Sequence, residues 1–227
     1  MKTIAIIPAR QGSKRIKSKN IKFLGDKPLI CYTIESALAS KNIDKVILST
    51  DIVNIEEIIK EYKNDKLCIH WRNEHLCGDL ISTEDVLIHI LEKEKSDITA
   101  VVTLLPTSPF RATKTIDECI EKFYEKNADS VLTLGQDKLK IGTYCEYSQE
   151  FSLVNKNTPA EMHKVKLTSF DNPAVYVTKP DVLFKNKFIL GEKTFGVIID
   201  KLSGLDINDE IDWAVAEVLL EKGLINV

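Results

Sequence analysis

The sequence predicts an α/β fold: an open, mostly parallel, twisted sheet with helices on both faces, plus one inserted arm. Three observations predict it. Short apolar, β-branched runs alternate with amphipathic helical stretches over residues 3–134, the pattern of repeated βα units. One run, ITAVVTLL (98–105), is almost wholly apolar, as a strand in the middle of a parallel sheet must be. The alternation lapses over 135–172 and then resumes, which marks the arm. Residues 1–227 read as a single domain that carries this arm within it.

Taken in order, TIAIIP (3–8) is a strand. PLICYTIESALAS (28–40) is a helix, with Pro28 suited to its first turn. KVILST (45–50) is the next strand and VNIEEIIKEY (53–62) the next helix. KLCIHW (66–71) is a third strand. STEDVLIHILEK (82–93) is a helix with Ser82 or Thr83 at its N-cap. After the apolar strand 98–105, TKTIDECIEKFYEK (113–126) places Ile116, Cys119, Ile120 and Phe123 on one helical face. DSVLTL (129–134) closes the regular series. Beyond the arm, AVYVT (174–178) and FGVIID (195–200) return to the sheet. DEIDWAVAEVLLEKG (209–223) is a closing helix with Gly223 at its C-terminal cap.

Composition narrows the function. Hydrophobic residues make up 44% and charged residues 29%, an ordinary globular balance. The five cysteines are odd in number and show no C-x-x-C spacing, as expected of reduced thiols in a cytoplasmic protein. No signal peptide and no membrane-spanning run is expected. The net charge of −3 makes any cationic cluster a local feature. Such a cluster exists in MKTIAIIPARQGSKRIKSKN, where Arg10, Lys14, Arg15, Lys17 and Lys19 directly follow the first strand. Ligands of open α/β sheets bind beyond the carboxyl ends of the strands. Gly12 permits close backbone approach there, and Lys14 and Lys19 supply charge, which together suit a triphosphate. The plainer alternative is a solvated basic loop. The loop is neither a Walker motif nor a dinucleotide fingerprint. Nucleic acid is an unfavoured partner, because aromatics are 7% and none lies between residues 9 and 22. The four histidines show no metal spacing.

The stretch IIPARQGSKRIKSKNIKFLGDKPLICYTIESAL resembles the start of the cytidylyltransferases that activate acidic sugars, among them the acylneuraminate, pseudaminic, legionaminic and 3-deoxy-manno-octulosonic acid enzymes. LSTD (48–51), RNEHLCGDLIST (72–83), LLPTSPFR (104–111), NPAVYV (172–177) and LDINDEIDWAVAE (205–217) follow in the family's order. The resemblance implies the Rossmann-type fold of nucleotide-diphospho-sugar transferases. It also implies a reaction: CTP and an acidic sugar give a CMP-sugar and pyrophosphate by in-line attack on the α-phosphorus. Positioning and charge stabilisation dominate such a step.

By that resemblance, Arg10, Lys14 and Lys19 neutralise the phosphates and are the expected catalytic residues. Gln11, Gly12, Ser13, Asn20 and Asp79 join the nucleotide site, and Ala9, Arg72 and Ser82 match positions near the cytidine. Ser82 serves equally as a plain helix cap. Thr107, Ser108 and Arg111 are expected at the sugar acid, on a loop whose two prolines make it rigid. Mg²⁺ is the implied cofactor, with Asp206 and Asn208 as its ligands. Asn208 is alternatively a cap for the last helix. Three departures stand out: Leu105 where the family often has Gln, Asn208 where it commonly has Asp, and Lys164 and Lys166 where arginines are usual. Lysine neutralises a carboxylate without arginine's two-pronged geometry. The arm 135–172 is expected to form a homodimer contact that completes each sugar site. A cytidylyltransferase for a different acidic substrate, or a non-catalytic nucleotide-binding homologue, is the alternative.

Overall fold

The computed structural model describes residues 2–78, 80–94, 97–137, 142–145, 147–153 and 168–225. Its centre is a seven-stranded sheet in the order β11-β7-β10-β6-β1-β4-β5. The strands are β1 (Lys2–Ala9), β4 (Lys45–Thr50), β5 (Leu67–Trp71), β6 (Ile98–Thr103), β7 (Ser130–Asp137), β10 (Thr168–Thr178) and β11 (Thr194–Ile198). The neighbouring pairs are parallel except those made by β10, which runs antiparallel to both β6 and β7. A small hairpin, β2 (Phe23–Leu24) with β3 (Lys27–Pro28), precedes the first helix. Within the arm, β8 (Gly142–Cys145) and β9 (Glu150–Leu153) form a second hairpin.

Strand alternation splits the core between the two faces of the sheet. Ala5, Ile7 and Ala9 of β1 face α1 (Leu29–Leu38) and α4 (Thr113–Glu125), packing with Ile30, Ile34, Ile116, Ile120 and Phe123. Ile4 and Ile6 face the other way, to α3 (Thr83–Lys93) and α5 (Pro180–Asn186), through Val86, Leu87 and Leu183. A third cluster lies at one end, where Ile16, Leu24, Tyr32, Phe110 and Ile207 gather around Trp213 of α6 (Glu210–Glu221). Helix α6 ends in a Schellman turn: Gly223 has φ +60°, and Leu224 N–H reaches back to Leu219 O at 3.0 Å.

Several elements differ from expectation for physical reasons. The helix expected over 53–62 is a single turn, α2 (Ile55–Ile58), followed by a 3-10 turn at Lys60–Tyr62. Asn54 enters it with φ 62° and no side-chain cap, so one turn forms, with Ile55 and Ile59 buried. Helix α5 has only seven residues, from Pro180 at its first turn to Lys187 at φ 52°, too few for a period to stand out. Strand β10 is longer than its apolar half, and its pairing with β7 shifts between Asn172 and Tyr176, around Pro173. Proline lacks the N–H a regular ladder needs. Thr133 fills the gap: its Oγ1 donates to Asn172 O at 2.7 Å and accepts Val175 N–H at 2.9 Å. Asn172 Nδ2 then reaches Gly204 O at 2.7 Å and ties the bulge to the segment before α6. The base of the arm continues the main sheet, since Asp137 pairs with Thr168 and Leu134 with Asp171.

Candidate active site

Parallel register brings three strand ends level. Ala9 lies opposite Thr50, and Thr50 opposite Trp71. The residue after each is Arg10, Asp51 and Arg72, so these three form a row at the carboxyl edge of the sheet. Arg72 N–H extends the ladder by one bond, to Thr50 O at 2.9 Å. Asp51 stands between the two arginines, and its Oδ1 accepts Gln11 N–H at 2.6 Å. Burial pulls the Arg72 guanidinium below its ordinary pKa, and Asp51 opposes that shift.

The basic loop is held as well as charged. Ile16 is 1% exposed and packs in the Trp213 cluster beside Ile207. Asn20 is buried, and its Nδ2 donates to Arg10 O at 2.8 Å, closing the loop on itself. Lys19 Nζ donates to Ile207 O at 2.7 Å, and Arg15 Nη1 to Asn208 O at 3.5 Å. The loop and the segment 206–208 are thereby docked together. Burial lowers the Lys19 pKa, with Asp206 acting against it.

Between them opens a cleft of about 340 Å³. Arg10, Gly12, Ser13, Lys14, Lys19 and Asn20 line one side; Leu105, Pro106, Thr107 and Asn208 line the other. Among the described residues, and beyond its two chain neighbours, no atom lies within 4 Å of where a Gly12 Cβ would stand, so packing makes no demand for glycine there and the space is left to a ligand. Asp206 Oδ2 accepts Asn208 Nδ2 at 2.7 Å, while Asp206 Oδ1 is buried and finds no hydrogen-bond partner among the described residues. An orphaned carboxylate oxygen beside a cleft lined by cations fits a hard divalent cation that keeps most of its waters.

Other expected site residues are placed differently. Ala9 is fully buried at the end of β1. Ser82 caps α3: its Oγ accepts Asp85 N–H at 3.0 Å, and Asp85 Oδ2 accepts Ser82 N–H at 3.0 Å. Asn208 does not cap α6; Asp209 does, with Asp212 completing the box. Ser108 is fully buried, its hydroxyl without a partner among the described residues. Arg111, expected to face the sugar, turns inward instead and is 2% exposed. Its guanidinium donates to Ala174 O at 2.7 Å, Leu105 O at 3.2 Å and Thr33 Oγ1 at 2.7 Å. Burial alone lowers its pKa to about 9. It pins the 105–110 loop to β10 and α1. A larger hollow of about 500 Å³ lies behind that loop, beside Tyr32, Phe110 and Asp200; the one cation among its described lining residues is Arg111, whose Nη1 and Nη2 are bonded elsewhere and whose Nε is buried. Asp79, Lys164 and Lys166 lie outside the described residues.

Two residues of the site escaped the sequence reading. Asp51 belongs to the LSTD stretch, and its place between two arginines follows only from strand register. Arg15 looked like one more loop cation until its contact with Asn208 O was seen.

The fold and this charged cleft define a nucleotidyltransferase, and comparison with known proteins agrees. The family model described as cytidylyltransferase matches residues 4–189. The chain is 39% identical to the pseudaminic acid cytidylyltransferase of Campylobacter jejuni, over 96% of each chain. It is 31% identical to the CMP-N,N'-diacetyllegionaminic acid synthase of Legionella pneumophila, over 97% of each. It is 33% identical to the N-acylneuraminate cytidylyltransferase of Escherichia coli O18:K1:H7, where 97% of this chain covers only 52% of that protein. A solved CMP:2-keto-3-deoxy-manno-octonic acid synthetase complexed with CTP superposes with a TM-score of 0.72 at 16% identity, over 98% of this chain and 100% of that one; this likeness bears on the fold. The chain belongs to the cytidylyltransferase family and is a CTP-dependent nucleotidyltransferase. Among the described residues no helix is long and apolar enough to cross a membrane.

Proposed function

We propose that this protein transfers CMP from CTP to the anomeric hydroxyl of an acidic, nonulosonic-type sugar and releases pyrophosphate. The observation that carries the reading is the shared cleft, where the basic loop faces the 105–107 loop and the 206–208 segment. Relatives named for pseudaminic, legionaminic and acylneuraminic acids support the substrate class. The sugar hydroxyl oxygen forms a bond to the α-phosphorus and releases its proton to solvent, while the bond from the α-phosphorus to the oxygen of the departing pyrophosphate breaks. Negative charge grows on the departing pyrophosphate. Arg10, Lys14 and Lys19 line the wall that would receive it. Thr107, on the facing wall, supplies a hydroxyl for the sugar. Asp206, with Asn208 beside it, would hold Mg²⁺, which when bound offsets charge on the triphosphate.

The reading extends to a homodimer through the arm. Phe170 is 39% exposed on the β7–β10 ladder and Tyr147 is fully exposed in the β8–β9 turn, apolar surface that a second copy would cover. Lys164 and Lys166 are proposed for the sugar carboxylate. Pyrophosphate release from CTP, measured against a panel of nonulosonic and octulosonic acids, tests the substrate class. Release with one of these acids is the expected outcome; none with any, while CTP binds, would overturn it. Sedimentation tests the dimer, and a fully active monomer would refute it.

A further inference from the structure

From the hydrogen bonds behind Arg72, we infer that Ser49 and His70 form a two-residue relay that positions Arg72 for CTP, and that this relay opens when His70 takes up a proton. The inference rests on the reading of Arg72 as a nucleotide-site residue.

Ser49 and His70 lie opposite one another on β4 and β5. Ser49 is fully buried. Arg72 Nε donates to Ser49 Oγ at 3.1 Å. An arginine can only donate, so the serine's own proton must go elsewhere. The acceptor within reach is His70 Nδ1, at 3.2 Å. This fixes the tautomer: His70 is neutral, with its proton on Nε2, and Nε2 is buried without a hydrogen-bond partner among the described residues. The chain of donation therefore runs Arg72 to Ser49 to His70. A second guanidinium bond, Nη1 to Leu76 O at 3.5 Å, is long, so the Ser49 bond carries most of the side-chain orientation. Orientation matters because Arg72 ends a row whose other members, Arg10 and Asp51, border the phosphate loop.

Protonation of Nδ1 reverses the second link. Ser49 Oγ would then face two cationic N–H donors, and its own proton would lose its acceptor in a site that water does not reach. Groups around the imidazole already oppose that charge. His89 of α3 lies with its ring centre 5.6 Å away, and His75 lies 5.6 Å beyond it. Lys93 of α3 and Arg72 add positive charge near His70, and Glu92 acts in the opposite sense on His89. Burial is the largest influence, and it lowers the pKa of His70 from its ordinary value. Because burial holds the His70 pKa beneath the ordinary histidine value of about 6.5, the relay is closed near neutral pH and opens only on acidification to below that value.

Direct titration of CTP binding tests this on the whole protein with no sugar present. His70→Asn keeps an acceptor near the Nδ1 position and does not titrate. It should match the parent protein at pH 7.5 and escape the parent's loss of affinity as the pH falls beneath about 6.5. The ratio of the two proteins cancels CTP's own titration. His70→Leu removes the acceptor and should weaken CTP binding by about fivefold at pH 7.5, the usual scale of one hydrogen bond. A His70→Asn protein with the parent's acid profile, or a folded His70→Leu protein with parental affinity at pH 7.5, would overturn the relay. Arg72→Ala separates the two levels of the argument. If it leaves CTP affinity unaltered, the site reading of Arg72 fails and the relay with it; if it weakens CTP while His70→Asn keeps the acid profile, the relay alone fails.

Discussion

Arg72 and Arg111 sit on opposite sides of the sheet's centre and do different work with the same side chain. Arg72 is partly buried at the strand edge, with Asp51 beside it, Ser49 behind it and the phosphate loop in front. Arg111 is wholly buried, bonded to two carbonyls and a hydroxyl, with no carboxylate among its hydrogen-bond partners. The difference teaches that the half built from β1, β4 and β5 spends its cations on the ligand edge. The half built from β6 and β10 spends one on holding its loop. A buried charge without a counter-charge is costly, and here the only return is the position of the 105–110 loop.

The largest effect should come from the ligand-facing cations. Lys19→Ala is expected to slow turnover on the order of 100-fold, the usual cost of losing one donor to developing charge. The KM for CTP should change far less. A raised KM with unchanged kcat would assign Lys19 to uniform binding. Asp206→Ala should abolish divalent-cation-dependent turnover with the melting temperature nearly kept, because its partly exposed side chain fills no core space. Asn208→Asp should tighten Mg²⁺, read as a lower concentration for half-maximal rate. Full activity of Asp206→Ala at ordinary Mg²⁺ would remove the residue from the mechanism.

The comparison sharpens with Arg111→Met against Arg72→Met. Removing the Arg111 guanidinium strands Ala174 O in a dry interior, while Leu105 O keeps its bond from Ser108 N–H. A buried unsatisfied group costs about 1–3 kcal/mol, so the variant should lose about that much in denaturant unfolding. Arg72→Met should lose less than about 1 kcal/mol of stability while weakening CTP binding. Equal stability losses would mean that Arg72 is a strut too.

Much of this division was legible in the sequence. The parallel series, the core face of α4 and the basic loop after β1 all follow from short-range periodicity and from where a parallel strand must end. The capping box of α3 was half legible, since Ser82 was a candidate cap and Asp85 lies three residues on. What periodicity cannot carry is register and depth. The row Arg10, Asp51, Arg72 exists because three distant strands stop level. Ser108 and Arg111 read as ligand residues by the family resemblance alone; the burial of Arg111 is decided by α1 and β10, far away in the chain. The antiparallel direction of β10 was hidden for a similar reason, because an apolar run does not announce its orientation.

Acid should weaken the β4–β5 side by a route the other half, among the described residues, lacks. His70 and His89 have pKa values lowered by burial, so the unfolded chain binds protons more readily than the folded one. Their neutral forms therefore contribute full stability above about pH 6.5, and that contribution is lost as pH falls below it. Thermal unfolding across pH 7.5 to 5.5 should show a steeper decline for the parent than for His70→Asn. Equal slopes would mean that the His70 environment does not resist charge.

The smallest expected effect tests whether Ser82 belongs to the ligand edge or only to its helix. As a cap, its Oγ satisfies Asp85 N–H, and the reciprocal Asp85 bond satisfies Ser82 N–H. Ser82→Ala removes the first bond and should cost about 1 kcal/mol of stability. Ser82→Asn keeps a capping oxygen and should recover most of that loss. If the hydroxyl also meets the nucleotide, both variants weaken CTP binding, because neither leaves a hydroxyl there. If capping is its whole role, CTP affinity follows neither substitution and only the melting temperature of Ser82→Ala falls. The pair thus separates a residue that holds the edge in shape from one that uses it, the same distinction that divides Arg111 from Arg72.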